Sequence, residues 1–144
     1  VCEDSRVTGK LLKAYDINDK RKIVYNDHAD DQTKTYIIDL IRDGRVIALV
    51  SDAGTPMVSD PGYKLARDCL ADNLYVTALP GANAILPALQ LSAFPTDRFT
   101  FAGFLPSKDK GVRDMITSYS VHTETCVFYE SPNRIVKTMA IIEG

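Results

Sequence analysis

Short apolar runs alternating with helix-length amphipathic segments constrain this chain more than any other feature. Residues 46–51, Val-Ile-Ala-Leu-Val-Ser, are almost unbroken apolar. A run of that length is what a strand covered on both faces of a parallel sheet requires. Residues 75–79, 99–104 and 126–129 read the same way, residues 22–25 more weakly, and Val1 opens the chain as a strand stub. Between them, apolar positions recur with the helical period over 7–15, 33–43, 61–71, 83–91, 112–119 and 133–142. Tyr36, Ile37, Leu40 and Ile41 share one face of the second helix, and Gly44 supplies its stop. Asp60 and Pro61 read as the N-cap and first residue of the third helix. Pro87 predicts a kink or a short helix in the fourth. Strands alternating with helices of this length demand β-α-β crossovers, so the expected fold class is α/β with a parallel sheet.

Turn-forming residues crowd 94–98, and Phe99-Thr-Phe-Ala-Gly-Phe104 after them is richer in aromatics than anything before. The expected division is therefore a first α/β lobe over 1–97 and the beginning of a second over 98–144. A first residue that is Val and a helical pattern that runs to Gly144 lead to the expectation of a piece of a longer chain. The 144 residues suffice for one or two small cores, burying about 68–70% of the unfolded surface. A formal charge of −2 gives no overall attraction to a polyanion, so a nucleic-acid contact has to be local. No apolar run approaches the roughly 20 residues of a membrane span, and residues 1–13 lack the basic-then-apolar pattern of a leader. Cys2, Cys69 and Cys126 are odd in number and far apart, which reads as reduced thiols and a cytoplasmic location.

In open parallel sheets, ligands bind beyond the carboxyl ends of the strands. That rule selects residues 2–6, 26–30, 51–62, 79–83, 103–108 and 130–134, which hold most of the glycine, proline and polar residues outside the helices. The segment 51–62 is the most informative, because Gly54 and Gly62 flank Thr55-Pro56 and permit close backbone approach to a ligand. Asp52, at a strand end, reads as a contact to ribose hydroxyls or an ammonium group of a cofactor. Asp60 reads as a helix cap. The stretch Leu79-Pro-Gly-Ala-Asn-Ala84 places a glycine just before a helix, which suits a flat adenine or an anion. Neither a Walker-type phosphate loop nor a G-x-G-x-x-G turn is present, which disfavours ATP hydrolysis and ordinary dinucleotide binding. Asp27, His28, Asp30 and Asp31 lack rigid ligand spacing and read as a solvated loop with a helix cap, so no metal is expected. Glu130-Ser-Pro-Asn-Arg134 pairs a carboxylate with a guanidinium: Arg134 either clamps an RNA phosphate or closes an ion pair to Glu130 across the turn. Lys108, Lys110 and Arg113 form a local basic stretch beside it.

Six ordered motifs carry a resemblance: Glu3-Asp-Ser-Arg-Val-Thr-Gly-Lys-Leu-Leu12, Val50-Ser-Asp-Ala-Gly-Thr-Pro56, Ser59-Asp-Pro-Gly-Tyr63, Pro80-Gly-Ala-Asn-Ala84, Phe101-Ala-Gly-Phe-Leu-Pro-Ser-Lys108 and Phe128-Tyr-Glu-Ser-Pro-Asn-Arg-Ile135. Together they span almost the whole chain, and it resembles the bacterial 16S rRNA cytidine 2′-O-methyltransferases of the tetrapyrrole (corrin/porphyrin) methylase superfamily. The family usually has His where this chain has Asn133 and Thr where it has Ser5, and its opening strand and loop have no counterpart here. The resemblance implies a two-lobe fold, S-adenosylmethionine bound between the lobes, a homodimer, and methyl transfer to 16S rRNA in the 30S subunit. Cofactor binding is expected of Asp52, Ala53, Gly54, Thr55, Ser59, Gly81, Ala82, Asn83, Ala84 and Tyr129, and acceptor positioning at the catalytic step of Glu130 and Arg134. A ribose hydroxyl needs help in losing its proton, and Glu3, Asp4, Asp52 and Glu130 are the carboxylates on the expected rim. Two other readings stay open: a relative that methylates a tetrapyrrole or another small acceptor, and a non-catalytic binding fragment.

Overall fold

The structure is a computed structural model that describes residues 1–26 and 29–144. Asp27 and His28, weighed above as metal ligands, lie outside the described residues. The chain forms two compact units, Val1–Asn83 and Ala84–Gly144.

The first unit holds α1 (Ser5–Ala14), α2 (Asp31–Arg42) and α3 (Tyr63–Ala71). Local hydrogen bonds satisfy free backbone groups at the starts of α1 and α2 and at the ends of all three. Asp4 caps α1 by accepting from the Arg6 N–H at 2.7 Å, and Asp30 caps α2 by accepting from the Thr33 N–H at 2.8 Å. Gly44 closes α2 in left-handed backbone, φ +80°, with its N–H on the Ile41 carbonyl and that of Arg45 on Leu40. Asp16 and Asn73 close α1 and α3 in the same way, at φ +54° and +57°. The start of α3 corrects the sequence reading. Its N-cap is Gly62, at φ +123° and without a side-chain cap, so Asp60 is not the cap and Pro61 is not in the helix.

The apolar faces of α2 and α3 meet over a core of Tyr25, Ile37, Ile38, Leu65 and Cys69, flanked by Ile23, Ile41, Ile47 and Leu74. The expected sheet of the first lobe is reduced to single parallel bridges, Cys2 to Val24 and Cys2 to Val50. Residues 46–49 and 75–79, expected as strands, carry no ladder. The physical reason is pairing: a strand exists only where a neighbour continues beside it, and among the described residues 46–49 and 75–79 have no bridged neighbour. Val46, Tyr75 and Leu79 are accordingly 98%, 87% and 85% exposed, without the two-sided cover that the apolar runs suggested.

The second unit holds α4 (Ile85–Ser92), β1 (Phe99–Phe104), α5 (Asp109–Tyr119), β2 (Thr125–Tyr129) and α6 (Ile135–Glu143). The strands β1 and β2 pair in parallel with α5 as the crossover, the β-α-β unit that the alternation predicts. Pro87 is the third residue of α4, where a missing N–H costs no intrahelical bond, and the helix is short, eight residues. Ile85, Leu89, Leu105, Val112 and Thr138 are buried. Gly111 lets α5 lie close on Pro106, since a β-carbon there would stand 2.9 Å from Pro106 Cβ. The architecture is α/β, a mixture of helices with a two-stranded parallel sheet. No helix among the described residues is long and apolar enough to cross a membrane.

Candidate functional site

In the first unit, the parallel bridges decide where loops emerge. Because Cys2 bridges both Val24 and Val50, the segments continuing from these residues leave the bridged region in the same direction. The Asp4 N–H donates to Asp52 Oδ1 at 3.2 Å, and the Asp52 N–H donates to Glu3 Oε2 at 3.4 Å. This reciprocal pair fastens the loop 51–62 to the start of α1. The Asp4 carboxylate is committed elsewhere: Arg6 grips both its oxygens at 2.6–3.1 Å, and those hydrogen bonds hold its carboxyl down at about 2. Asp52 is the carboxylate that stays exposed on the loop.

Left-handed backbone at Gly54, Met57, Ser59 and Gly62 folds the loop back on itself. Met57 and Ser59 have β-carbons, so each costs on the order of 1–3 kcal/mol, the kind of strain that clusters in ligand loops. Thr55 Oγ1 donates to the Ala82 carbonyl at 2.7 Å. A β-carbon on Gly81 would stand 3.4 Å from Thr55 Oγ1, and one on Gly54 would stand 3.9 Å from the Ala82 oxygen. The expected contributors Gly54 and Thr55 are thus brought beside Gly81 and Ala82, while Asp52 and Ala53 precede them on the same loop, with Asp52 tied to Glu3 and Asp4. Gly54, Gly81 and Ala82 are exposed, so their backbone is open to a ligand. Ser59 is exposed further along the same loop, and Asn83 is half-buried at the end of the unit.

Ala84, Tyr129, Glu130 and Arg134 belong to the second unit. Ala84 is the N-cap residue of α4. The register of β1 on β2 slips between Phe101 and Phe104, with Gly103 at φ +72°, and the bulge sets Phe101 and Phe104 edge-on to Tyr129 at 4.7 and 5.3 Å between ring centres. Beyond the strands, the segments 105–108 and 130–134 leave together. The Leu105 N–H donates to the Tyr129 carbonyl at 3.1 Å, and Arg134 Nη2 donates to the Pro106 carbonyl at 2.6 Å. The Glu130 side chain is 5% exposed, and Arg134 Nη2 lies 3.4 Å from its Oε2, so the ion pair across the turn exists. The Ser131 N–H donates to Glu130 Oε1 at 2.7 Å, and Thr138 Oγ1 donates to Oε2 at 2.8 Å. The Thr138 hydroxyl, with the Ser131 amide and the Arg134 charge, holds the Glu130 carboxyl below the usual carboxylate range. Lys108 is the N-cap residue of α5, and Lys108, Lys110 and Arg113 are exposed. His122 pairs with Glu124 at 2.9 Å on the surface.

Sequence reasoning missed Thr138. It is 2% exposed, the one hydroxyl residue in a helix otherwise rich in aliphatics, four residues after Arg134. The (i, i+4) spacing placed it on Arg134's face of the helix, but only the fold shows that its hydroxyl reaches Glu130.

This pair of units belongs to the tetrapyrrole (corrin/porphyrin) methylases, whose family model matches residues 1–143. Within that family the chain is similar to particular rRNA-modifying relatives. It is 43% identical over 141 residues to the ribosomal RNA small subunit methyltransferase I of Rickettsia prowazekii, covering 98% of this chain and 50% of that protein. The proteins of that name from Vibrio cholerae and Escherichia coli O157:H7 are 44% and 42% identical over 137 residues, 95% of this chain and 47% and 48% of theirs. The chain spans about half the length of these relatives.

Proposed function

We propose that the whole protein is an S-adenosylmethionine-dependent methyltransferase acting on the 2′-hydroxyl of a cytidine in the 16S rRNA of the small ribosomal subunit. What carries the reading is the similarity to relatives of that printed name along 95–98% of the chain. The geometry of the first unit supports the cofactor half of it. An exposed carboxylate at Asp52 suits the ribose hydroxyls or the ammonium group of the cofactor. Gly54 on the same loop, and Gly81 beside Thr55, expose their backbone to a ligand. The residues present therefore fit the group.

When bound, S-adenosylmethionine supplies an electrophilic methyl group. The protein's part is alignment, because in-line transfer depends on holding the acceptor oxygen at the right place. Asp52, Ala53, Gly54, Thr55 and Ser59, with Gly81, Ala82 and Asn83, form the cofactor loops of the first unit. In the second unit, Ala84 and Tyr129 are assigned to cofactor binding. Arg134 takes an acceptor phosphate, and Glu130 acts by holding Arg134. The lobe boundary is placed at 97/98, and the protein is read as a cytoplasmic homodimer.

The test is transfer of a labelled methyl group by the full-length protein, offered small ribosomal subunits and, separately, a porphyrinogen. Label in 16S rRNA at a cytidine ribose is expected. Label in the tetrapyrrole alone would replace this reading by the small-acceptor one, and label in neither would leave the binding fragment. Sedimentation equilibrium checks the assembly, with the mass of a dimer expected.

A further inference from the structure

We propose that Thr138 is a positioning residue for the RNA acceptor: through its hydrogen bond to Glu130 it fixes the Arg134 guanidinium by one nitrogen and leaves the others to a phosphate. The inference rests on the rRNA reading above and deepens it. Glu130 Oε2 is shared by two groups, Thr138 Oγ1 at 2.8 Å and Arg134 Nη2 at 3.4 Å. The same Nη2 donates to the Pro106 carbonyl at 2.6 Å. Arg134 is thus held through one nitrogen between the loops that follow β1 and β2. Its Nε and Nη1 have no partner among the described residues, and the side chain is 33% exposed.

A buried carboxylate requires donors on both oxygens. Here the Ser131 amide supplies Oε1 and Thr138 supplies Oε2. With Thr138 present, the ion pair stays at charge-pairing distance and does not close into the two-bond fork that arginine and carboxylate otherwise adopt. Remove the hydroxyl, and Oε2 must take its donor from Arg134. The fork then closes, turning inward the N–H groups that would meet a phosphate. Valine at 138 keeps the size and branching of threonine and removes only the hydroxyl.

The experiment measures binding of 16S rRNA in small subunits by the full-length protein, across salt concentration, for Thr138→Val, Thr138→Ser, Arg134→Ala and the Thr138→Val/Arg134→Ala double variant. Arg134→Ala is expected to weaken binding on the order of tenfold and to make the salt dependence shallower by about one phosphate contact, roughly 0.7–0.9 in log–log slope. Thr138→Val is expected to reproduce most of that loss and the same change of slope, Thr138→Ser to restore both, and the double variant to equal Arg134→Ala alone. Cofactor affinity stays unchanged in Thr138→Val. A wild-type salt slope in Thr138→Val, a Thr138→Ser as weak as the valine variant, or additive losses in the double variant would each overturn the inference. Wild-type binding by Arg134→Ala would instead overturn the rRNA reading of this edge. If Thr138→Val does not fold, Glu130→Gln enters the same cycle, and additivity with Arg134→Ala again counts against the proposal.

Discussion

Gly62→Ala tests the loop geometry most sharply, because two separable costs meet at one residue. Gly62 sits at φ +123°, a region that L side chains rarely adopt, which costs about 1–3 kcal/mol. A β-carbon there would stand 2.5 Å from Leu49 Cδ2 and 3.2 Å from Met57 Cγ. Ordinary carbon contacts are about 3.5–4.0 Å, so Leu49 must retreat by roughly 1 Å, at about 1–3 kcal/mol for overpacking. The sum is about 2–6 kcal/mol, a large share of the 5–15 kcal/mol that stabilises a typical domain. Gly44→Ala isolates the first cost. Its φ is +80° and nothing lies within 4 Å of the added carbon, so about 1–2 kcal/mol is expected. Urea unfolding of both variants, at unchanged m-value, should order them wild type, Gly44→Ala, Gly62→Ala in falling midpoint. A Gly62→Ala midpoint no lower than that of Gly44→Ala would refute the claim that Leu49 and Met57 pack against the hinge of this loop.

Other outcomes follow from the same packing and charges. Ile37 is fully buried in the first unit's core, so Ile37→Ala should cost about 2–5 kcal/mol in urea unfolding, whereas Tyr36→Ala on the exposed side of α2 should cost clearly less. Glu124 is held at about 2 against an ordinary 4.5 by His122 first and then Thr100. A lowered carboxyl stabilises the fold above its unfolded value, and that contribution is lost as pH falls from 4.5 toward 2. Asp4, also at about 2, acts with the same sign. The melting temperature of wild type should therefore fall through that window, and Glu124→Gln should show a shallower fall; parallel curves would contradict the pairing.

Helices were legible from their apolar period, and α2 also from its end. Gly44 closes α2 as its sequence suggests, and Ile37 and Ile41 of the face read over 33–43 reach the core, joined by Ile38, while Tyr36 of that face is exposed. Asp16 and Asn73 close α1 and α3 with non-glycine residues in left-handed backbone, which Asp and Asn tolerate but do not require, so composition alone does not mark them. The start of α3 was misread because Asp60-Pro61 has cap chemistry, yet with Gly62 at φ +123° the helix begins two residues later, at Tyr63. Residues 46–51 and 75–79 have strand composition, but pairing is a property of neighbours, and among these described residues only Val50 is bridged. In the candidate site, the rule that loops gather beyond strand ends selected 51–62 and 79–83 from element order alone, and the structure joins the two segments through Thr55 and Ala82. Thr138 escaped it, since an isolated hydroxyl in an apolar helix has meaning only once the fold sets it against Glu130.

The proposed function requires that the loops 52–55 and 81–82 hold S-adenosylmethionine. Calorimetric titration of the cofactor into full-length wild type and Asp52→Asn asks this directly, because the amide keeps an oxygen for the Asp4 N–H and removes only the charge. Asp52→Asn is expected to bind the cofactor on the order of tenfold or more weakly with an unchanged melting temperature, and equal affinities would refute the assignment of Asp52 to the cofactor.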